Sequence, residues 1–374
     1  MEKKHIVFLI PSFEVGGIER SFINLANRVS EEFTHVGIWH WFNRGPLKSD
    51  INLSSVETKF INGKRLVKLF SSLVREFRTS KPDIVVTPMY MIGMVAIISK
   101  IFSTHKPKLV IGCRNTFSVQ TTSAKRFLDK CILPILYKIF YKRVDLFIAI
   151  SKGVANDLKR SLSNKINIKV IYNPVIDKRI NEFKSSSILI NKESNTKQIN
   201  LVSVGRLEPQ KGMLELIDLF YFCYEEFNLH LTICGQGSLN ILLQEKINKY
   251  NLNSRIKLVG FSKNYLTYLN EADFFVANSQ YEGFQNVIVE AMFFGTIPIV
   301  SDCPHGPSEI LNNGEFGYLF SINSKESFKQ CFNKALTKIN DKNFRDKISR
   351  RANYFNSERS ATAYLEEFKR LLNI

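Results

Sequence analysis

The chain opens with KHIVFLIP, a continuous apolar run of strand length. Comparable runs follow at VGIWHWF, DIVVTP, KLVIGC, DLFIAIS and IKVIYNP. Unbroken apolar runs of this length fit strands buried on both faces of a parallel sheet. Segments of helical period lie between most of them; in the first, Ile18, Phe22, Leu25, Ala26 and Val29 share one face. Alternating strands and helices predict a doubly wound α/β domain.

The pattern lapses over residues 178–198, where FKSSSILINKESNTKQ is polar and rich in Ser and Asn, so this stretch reads as a linker. It then restarts. NLVSVGRL, HLTICGQG and KLVGF read as strands, and ADFFVANS leads into SQYEGFQNVIVEAMFFGTIPIVSD, a turn, a helix and a strand. GMLELIDLFYFCYEEF and LNILLQEKINKYNL read as helices. After GYLF, two further helical segments reach the C-terminus. The expected organisation is α/β: a first Rossmann-like domain over 1–177, a linker over 178–198, a second Rossmann-like domain over 199–350, and a closing helix over 351–374. Two such doubly wound domains are expected to face a central cleft, with ligands beyond the carboxyl ends of the strands.

Composition sharpens this in one respect. The net charge of +18 is unevenly spread: residues 1–175 hold 28 Lys and Arg against 12 Asp and Glu, a balance of +16. Such a field attracts a polyanion or an anionic membrane surface. Six scattered cysteines without a CxxC pair, and no His at zinc spacing, suit a reduced, cytosolic protein. The apolar run of MEKKHIVFLIP is too short for a signal peptide, and no run reaches the roughly 18 residues of a membrane span.

Four loops hold candidate chemistry. GRLEPQKG follows a strand and precedes a helix, so Arg206 and Lys211 are placed at a strand end where two fixed cations suit a diphosphate; an ordinary solvated loop is the competing reading. In VGGIER, Gly16 and Gly17 would let backbone approach a ligand at a helix start, although the spacing is not that of a dinucleotide fingerprint. In GQG, Gly235 ends a strand, where a turn alone would also explain it. The fourth stretch is SQYEGFQNVIVEAMFFGTIPIVSD. Its helical part is nearly all apolar, yet it carries Glu282 at its entrance and Glu290 inside. Buried carboxylates need partners. Either Glu282 is a surface acid and Glu290 pairs with a nearby cation, or both accept hydrogen bonds from the hydroxyls of a ligand.

Taken in order, the GG loop, SKGV, YNP, GRLxxxKG, GxG and YEGFxNVxxEAMxxGxxPIVSD resemble the retaining glycosyltransferases of family 4, which have the GT-B fold. Glu282 to Glu290 matches that family's E-x7-E signature. SDCPHGPSEIL further resembles a subgroup that adds hexose or N-acetylhexosamine to lipid-linked glycans of bacterial surface polysaccharides such as O-antigen, capsule or exopolysaccharide. The resemblance implies an acceptor-binding first domain, a nucleotide-sugar-binding second domain, and a C-terminal helix that packs back on the first. It implies that Glu290 holds the nucleotide ribose, that Arg206 and Lys211 hold the diphosphate with Gly17 approaching it, and that Glu282 faces the donor sugar beside Phe284, Gln285 and Asn286, with Gly235 near the nucleotide. One departure stands out. Where many members carry a His after a middle strand of the first domain, KLVIGC here runs into Arg114 and Asn115, which could contact phosphate or acceptor, or cap a loop.

The resemblance implies a UDP-sugar donor, a polyprenyl-diphosphate-linked acceptor and a hexosyltransferase working at the inner face of the plasma membrane. No cofactor is expected: the sugar nucleotide is a substrate, and the absence of any DxD motif speaks against a metal-bridged diphosphate. Two basic segments could reach the membrane. One carries Leu66, Leu69, Phe70, Leu73 and Phe77 among Lys64, Arg65, Lys68, Arg75 and Arg78. The other carries Phe127, Cys131, Ile135 and Ile139 among Lys125, Arg126, Lys130, Lys138, Lys142 and Arg143. Packing on the sheet is the competing reading for each stripe. A soluble acceptor is the alternative within the same fold. A basic adaptor without catalysis is the remote one, and no nucleic-acid motif supports it.

Overall fold

A computed structural model describes residues 2–14, 17–63, 65–89, 91–122, 127–186 and 198–374. It divides into two units, residues 1–174 with 357–374, and residues 175–356. Lys64, Lys125 and Arg126 of the two basic segments, and most of the expected linker, lie outside the described residues.

The first unit is built on strands β1 (Glu2–Ile10), β2 (Phe33–His40), β3 (Val56–Phe60), β4 (Ile84–Pro88), β5 (Lys108–Cys113), β6 (Leu146–Ala149) and β7 (Ile168–Val170). They form one sheet in the order β3-β2-β1-β4-β5-β6-β7, and the paired strands all run parallel. The continuous apolar runs have their expected cause, since Ile6 to Ile10 and Ile84 to Val86 are fully buried. Strand β3 escapes the sequence pattern. It lies at the sheet edge, and VETKF alternates a little apolar surface with exposed polar positions.

In the helix Leu66–Thr79 the stripe Leu69, Leu73 and Phe77 is fully buried. Leu66 and Phe70 of the same stripe are half-buried, so for Leu69, Leu73 and Phe77 packing within the unit, the competing reading, is what the structure shows. The helix Ser357–Leu372 belongs to this unit as well. Its Tyr364, Leu365 and Phe368 join the core beside Phe8, and Glu358 and Lys369 pair with Arg28 and Glu32 at 2.8 and 2.6 Å.

The second unit carries β8 (Ile199–Val204), β9 (Leu229–Cys234), β10 (Ile256–Gly260), β11 (Phe274–Ala277), β12 (Ile297–Ser301) and β13 (Tyr318–Phe320), in the parallel order β10-β9-β8-β11-β12-β13. The chain winds outward from β8 in one direction and then returns beside it at β11. The order therefore reverses between β8 and β11, the place where open α/β sheets leave a crevice at their carboxyl ends.

Two expectations about elements change. Lys178–Ser186 is a helix with buried Ile180, anchored by Lys184 on the Phe293 carbonyl at 2.6 Å, so this part of the expected linker is structured within the second unit. After β13 come three helices, Lys325–Leu336, Lys342–Ala352 and Ser357–Leu372, where the sequence suggests two. Among the described residues, no helix is long and apolar enough to cross a membrane.

Candidate active site

The loops after β8 and β11 leave the sheet from adjacent strands, and one backbone and one side-chain hydrogen bond hold them together. Gln280 N–H donates to the Gln210 carbonyl at 2.8 Å, and the Gln210 side-chain amide donates to the Tyr281 carbonyl at 3.0 Å. Gly212 sits in the left-handed region at φ 57°, and a Cβ there would lie 2.1 Å from the Asn278 carbonyl oxygen. Only glycine lets the two loops approach this closely.

That approach brings Lys211 and Glu282 together. Lys211 Nζ donates to Glu282 Oε1 at 2.6 Å, and Ser279 Oγ donates to the same oxygen at 2.8 Å. Glu282 is buried and Lys211 nearly so. The loop after β12 closes in from the third side: Glu282 N–H donates to the Pro304 carbonyl at 3.2 Å, and Ser301 Oγ donates to the Ser279 carbonyl at 2.8 Å. A lysine and a carboxylate held this way can each engage a ligand, the first through anionic oxygens and the second through hydroxyls.

Arg206 leaves the same loop but is exposed and donates to its neighbour Gln210 at 3.2 Å, so it does not join the Lys211–Glu282 pair. Gly235 packs against that loop. A Cβ on it would fall 1.8 Å from the Gly205 carbonyl oxygen, and Gly205 N–H donates to the Cys234 carbonyl at 3.0 Å. This glycine has a steric reason of its own.

The helix Asn286–Phe293 has Gln285 as its N-terminal boundary residue. Phe284 is buried edge-on to Phe355 at 5.3 Å. Gln285 is buried and Asn286 half-buried. Inside the helix, the buried Glu290 accepts a hydrogen bond from the Tyr265 hydroxyl at 3.0 Å, and Arg179 donates to that same hydroxyl at 3.2 Å. Burial first, and the Glu290 carboxylate second, push the Tyr265 phenol well above its usual range, so it remains a neutral donor. Neither Tyr265 nor Arg179 carries a signal in the sequence. Tyr265 meets Glu290, and Arg179 meets Tyr265, only through the fold.

Three expected residues belong to the first unit. Gly17 is the first residue of the helix Gly17–Val29, while Val15 and Gly16 lie outside the described residues. Arg114 follows β5, donates to the Asn173 side chain, and lies 5.1 Å over the Phe22 ring. Asn173 comes from the YNP segment, so two of the motifs meet here. Asn115 is exposed beside it.

Residues 15–179 match the family model described as Glycosyltransferase Family 4, and residues 186–354 match the one described as Glycosyl transferases group 1. The chain belongs to this glycosyltransferase family. An uncharacterized glycosyltransferase of Methanocaldococcus jannaschii is 33% identical over 268 residues, which cover 66% of this chain and 61% of that one. The N-acetylgalactosamine-N,N'-diacetylbacillosaminyl-diphospho-undecaprenol 4-alpha-N-acetylgalactosaminyltransferase of Campylobacter jejuni is 28% identical over 237 residues, 63% of this chain and 62% of that one. The chain thus spans about three-fifths of the length of these two relatives. Among solved structures, HepE of Anabaena, in complex with UDP, superposes with a TM-score of 0.76 at 19% identity over 98% of this chain and 99% of that one. That likeness shows the GT-B fold.

Proposed function

We propose that the chain is a retaining glycosyltransferase that moves a hexose or N-acetylhexosamine from a UDP-sugar to a polyprenyl-diphosphate-linked glycan of a bacterial surface polysaccharide. The observation that carries this reading is the Lys211–Glu282 pair, a cation and a carboxylate joined at 2.6 Å at the point where the strand order reverses. Family membership, the UDP held by HepE and the diphospho-undecaprenol acceptor named for the Campylobacter relative support it.

In this reading Lys211 and Arg206 take the diphosphate, Glu282 accepts from a hydroxyl of the donor sugar, and Glu290 accepts from the ribose diol. Backbone at Phe284, Gln285 and Asn286 approaches the donor at the start of a helix, whose positive dipole end suits oxygen ligands. Gly235 lies near the nucleotide, and Gly17 and Arg114 with Asn115 serve donor phosphate or acceptor. The bond between the anomeric carbon and the β-phosphate oxygen breaks as the acceptor oxygen forms its bond to the same face of that carbon. The acceptor proton passes to the departing phosphate oxygen. The protein's part is to stabilise the charge that grows on the diphosphate, a preorganised electrostatic effect; losing one such donor costs about 3 kcal/mol of barrier. No metal or other cofactor enters this scheme. A lipid-linked acceptor requires work at the inner membrane face, and the +16 balance of residues 1–175 favours peripheral attachment there.

The test is Glu290→Ala. It is expected to abolish UDP-dependent thermal stabilisation and turnover while leaving the fold intact, and wild-type activity would sink the ribose assignment. A panel of UDP-sugars with synthetic polyprenyl-diphosphate glycans, scored by UDP release, tests the reaction itself.

A further inference from the structure

Resting on that reading, we propose that His305 is a specificity-determining residue, its imidazole hydrogen-bonding a hydroxyl or acetamido group of the transferred sugar. His305 lies in the loop after β12, and its backbone sits in the left-handed region at φ 67°. Six other described residues with a Cβ have positive φ. Five of them are asparagines, whose short polar side chain tolerates that conformation. The sixth, Lys81, directly follows Ser80, the C-terminal boundary residue of the helix Leu66–Thr79, where chains commonly turn left-handed to end a helix. His305 has neither explanation.

The chain is fixed on both sides of this residue. Before it, the Pro304 carbonyl accepts from Glu282 N–H at 3.2 Å, and Cys303 is buried. After it, Gly306 runs against the start of the helix Asn286–Phe293. A Cβ on Gly306 would fall 3.2 Å from Phe284 Cα and 3.5 Å from the Gln285 nitrogen, and Pro307 is buried. Both anchors are the same segment, residues 282–285, which begins with the carboxylate assigned to the donor sugar. His305 is therefore clamped beside that segment by its two neighbours. A backbone conformation that the surroundings impose at a cost points to a use for the side chain it carries.

That use is not internal. His305 is half-buried, yet its imidazole has no hydrogen-bond, ion-pair or ring partner among the described residues. The groups already placed at the site are one-sided: Lys211 and Arg206 only donate, and the Glu282 carboxylate only accepts. They suit a diphosphate and a single hydroxyl proton. An imidazole in its neutral form brings one donor and one acceptor together, which matches a hydroxyl or an acetamido group, each of which also does both. A contact of that kind tells apart sugars that differ in one substituent, because the wrong sugar leaves it unmade.

Calorimetric titration of the full chain without acceptor tests this, using UDP, UDP-glucose, UDP-galactose and their two 2-acetamido counterparts. The wild type is expected to prefer one of the four sugars. His305→Gly should bind UDP alone as the wild type does, while the preference among the sugars shrinks on the order of tenfold. His305→Asn, which tolerates the left-handed backbone and keeps a donor and an acceptor, should retain part of the preference. Thermal unfolding should find His305→Gly at least as stable as the wild type, since glycine relieves the backbone and no internal contact is lost. An undiminished preference in His305→Gly overturns the assignment. So does an equal loss for UDP and all four sugars, which would make the residue a support of the loop. A wild type that binds UDP but treats the four sugars alike overturns it as well. A wild type that binds neither UDP nor any of the sugars would sink the glycosyltransferase reading itself, and this assignment with it.

Discussion

Lys211 and Glu282 stand 71 positions apart in the chain, yet Lys211 Nζ lies 2.6 Å from Glu282 Oε1. Both are largely shielded from water, so removing one partner strands the other's charge. Breaking a buried pair from one side costs about 3 kcal/mol or more, because the remaining ion keeps its desolvation penalty without its attraction. Lys211→Met is therefore expected to destabilise the second unit by about 3 kcal/mol. Lys211→Met with Glu282→Gln should recover most of that loss. Neither variant should transfer sugar. Denaturant unfolding of both single variants and the double one gives the coupling directly, and a Lys211→Met protein as stable as wild type would rule the pair out as a buried ionic contact.

Tyr265 fixes one oxygen of Glu290 at 3.0 Å, and Arg179 at 3.2 Å fixes the phenol in turn. A carboxylate oriented this way presents its remaining acceptor capacity in a set direction. Tyr265→Phe removes one hydrogen bond worth about 1 kcal/mol, which is roughly a fivefold loss of UDP affinity if Glu290 binds ribose. The deficit should vanish with a uridine diphosphate lacking the ribose hydroxyls. Calorimetric titration with both nucleotides separates this from a general loosening, which would weaken them equally.

Gly212 is held in place by sterics more than by any ligand. An alanine there would meet the Asn278 carbonyl and a left-handed backbone together. The left-handed conformation alone costs about 1–2 kcal/mol for a residue with a Cβ, and relieving the clash must move the β8 loop away from the β11 loop. Gly212→Ala should therefore lower both stability and donor affinity, although residue 212 carries no side chain to lose. Donor affinity at the wild-type level, measured by UDP-induced thermal shift, would show that the loops tolerate separation.

The sequence made the parallel strands legible because strands buried on both faces must read as apolar runs, as Ile6–Ile10 does. It made Glu282 and Glu290 legible because carboxylates stand out inside an apolar helix-turn. The edge strand Val56–Phe60 was invisible since half-exposed VETKF has no such signature. The helix Lys178–Ser186 was hidden by polar composition, its anchoring coming from buried Ile180, Arg179 on the Tyr265 hydroxyl, Phe183 against Phe294 and Lys184 on the Phe293 carbonyl. Sequence could say that Lys211 and Glu282 both wait at strand ends. Their meeting depends on the strand order, which periodicity does not encode. The same limit applies to the first basic segment, where only the fold shows that Leu69, Leu73 and Phe77 pack within the unit.

The first unit should also respond to mild acid. Burial pulls the His5 imidazole below its ordinary value of 6.5, only partly offset by its hydrogen bond to the Ser80 carbonyl at 3.0 Å and by Glu57 and Asp83 nearby. Burial lowers His40 in the same way. The folded chain thus keeps both rings neutral at a pH where the unfolded chain has begun to protonate them. Near and below 6.5 the unfolded state binds more protons, so stability is full above that value and falls as the pH drops through it. The denaturant midpoint of this unit is expected to decline between pH 7.5 and pH 5.5. His5→Gln with His40→Gln should flatten that decline whatever its effect on the midpoint itself, because these two rings are the sites that take up protons on unfolding. An unaltered slope in that variant would assign the acid response to other groups.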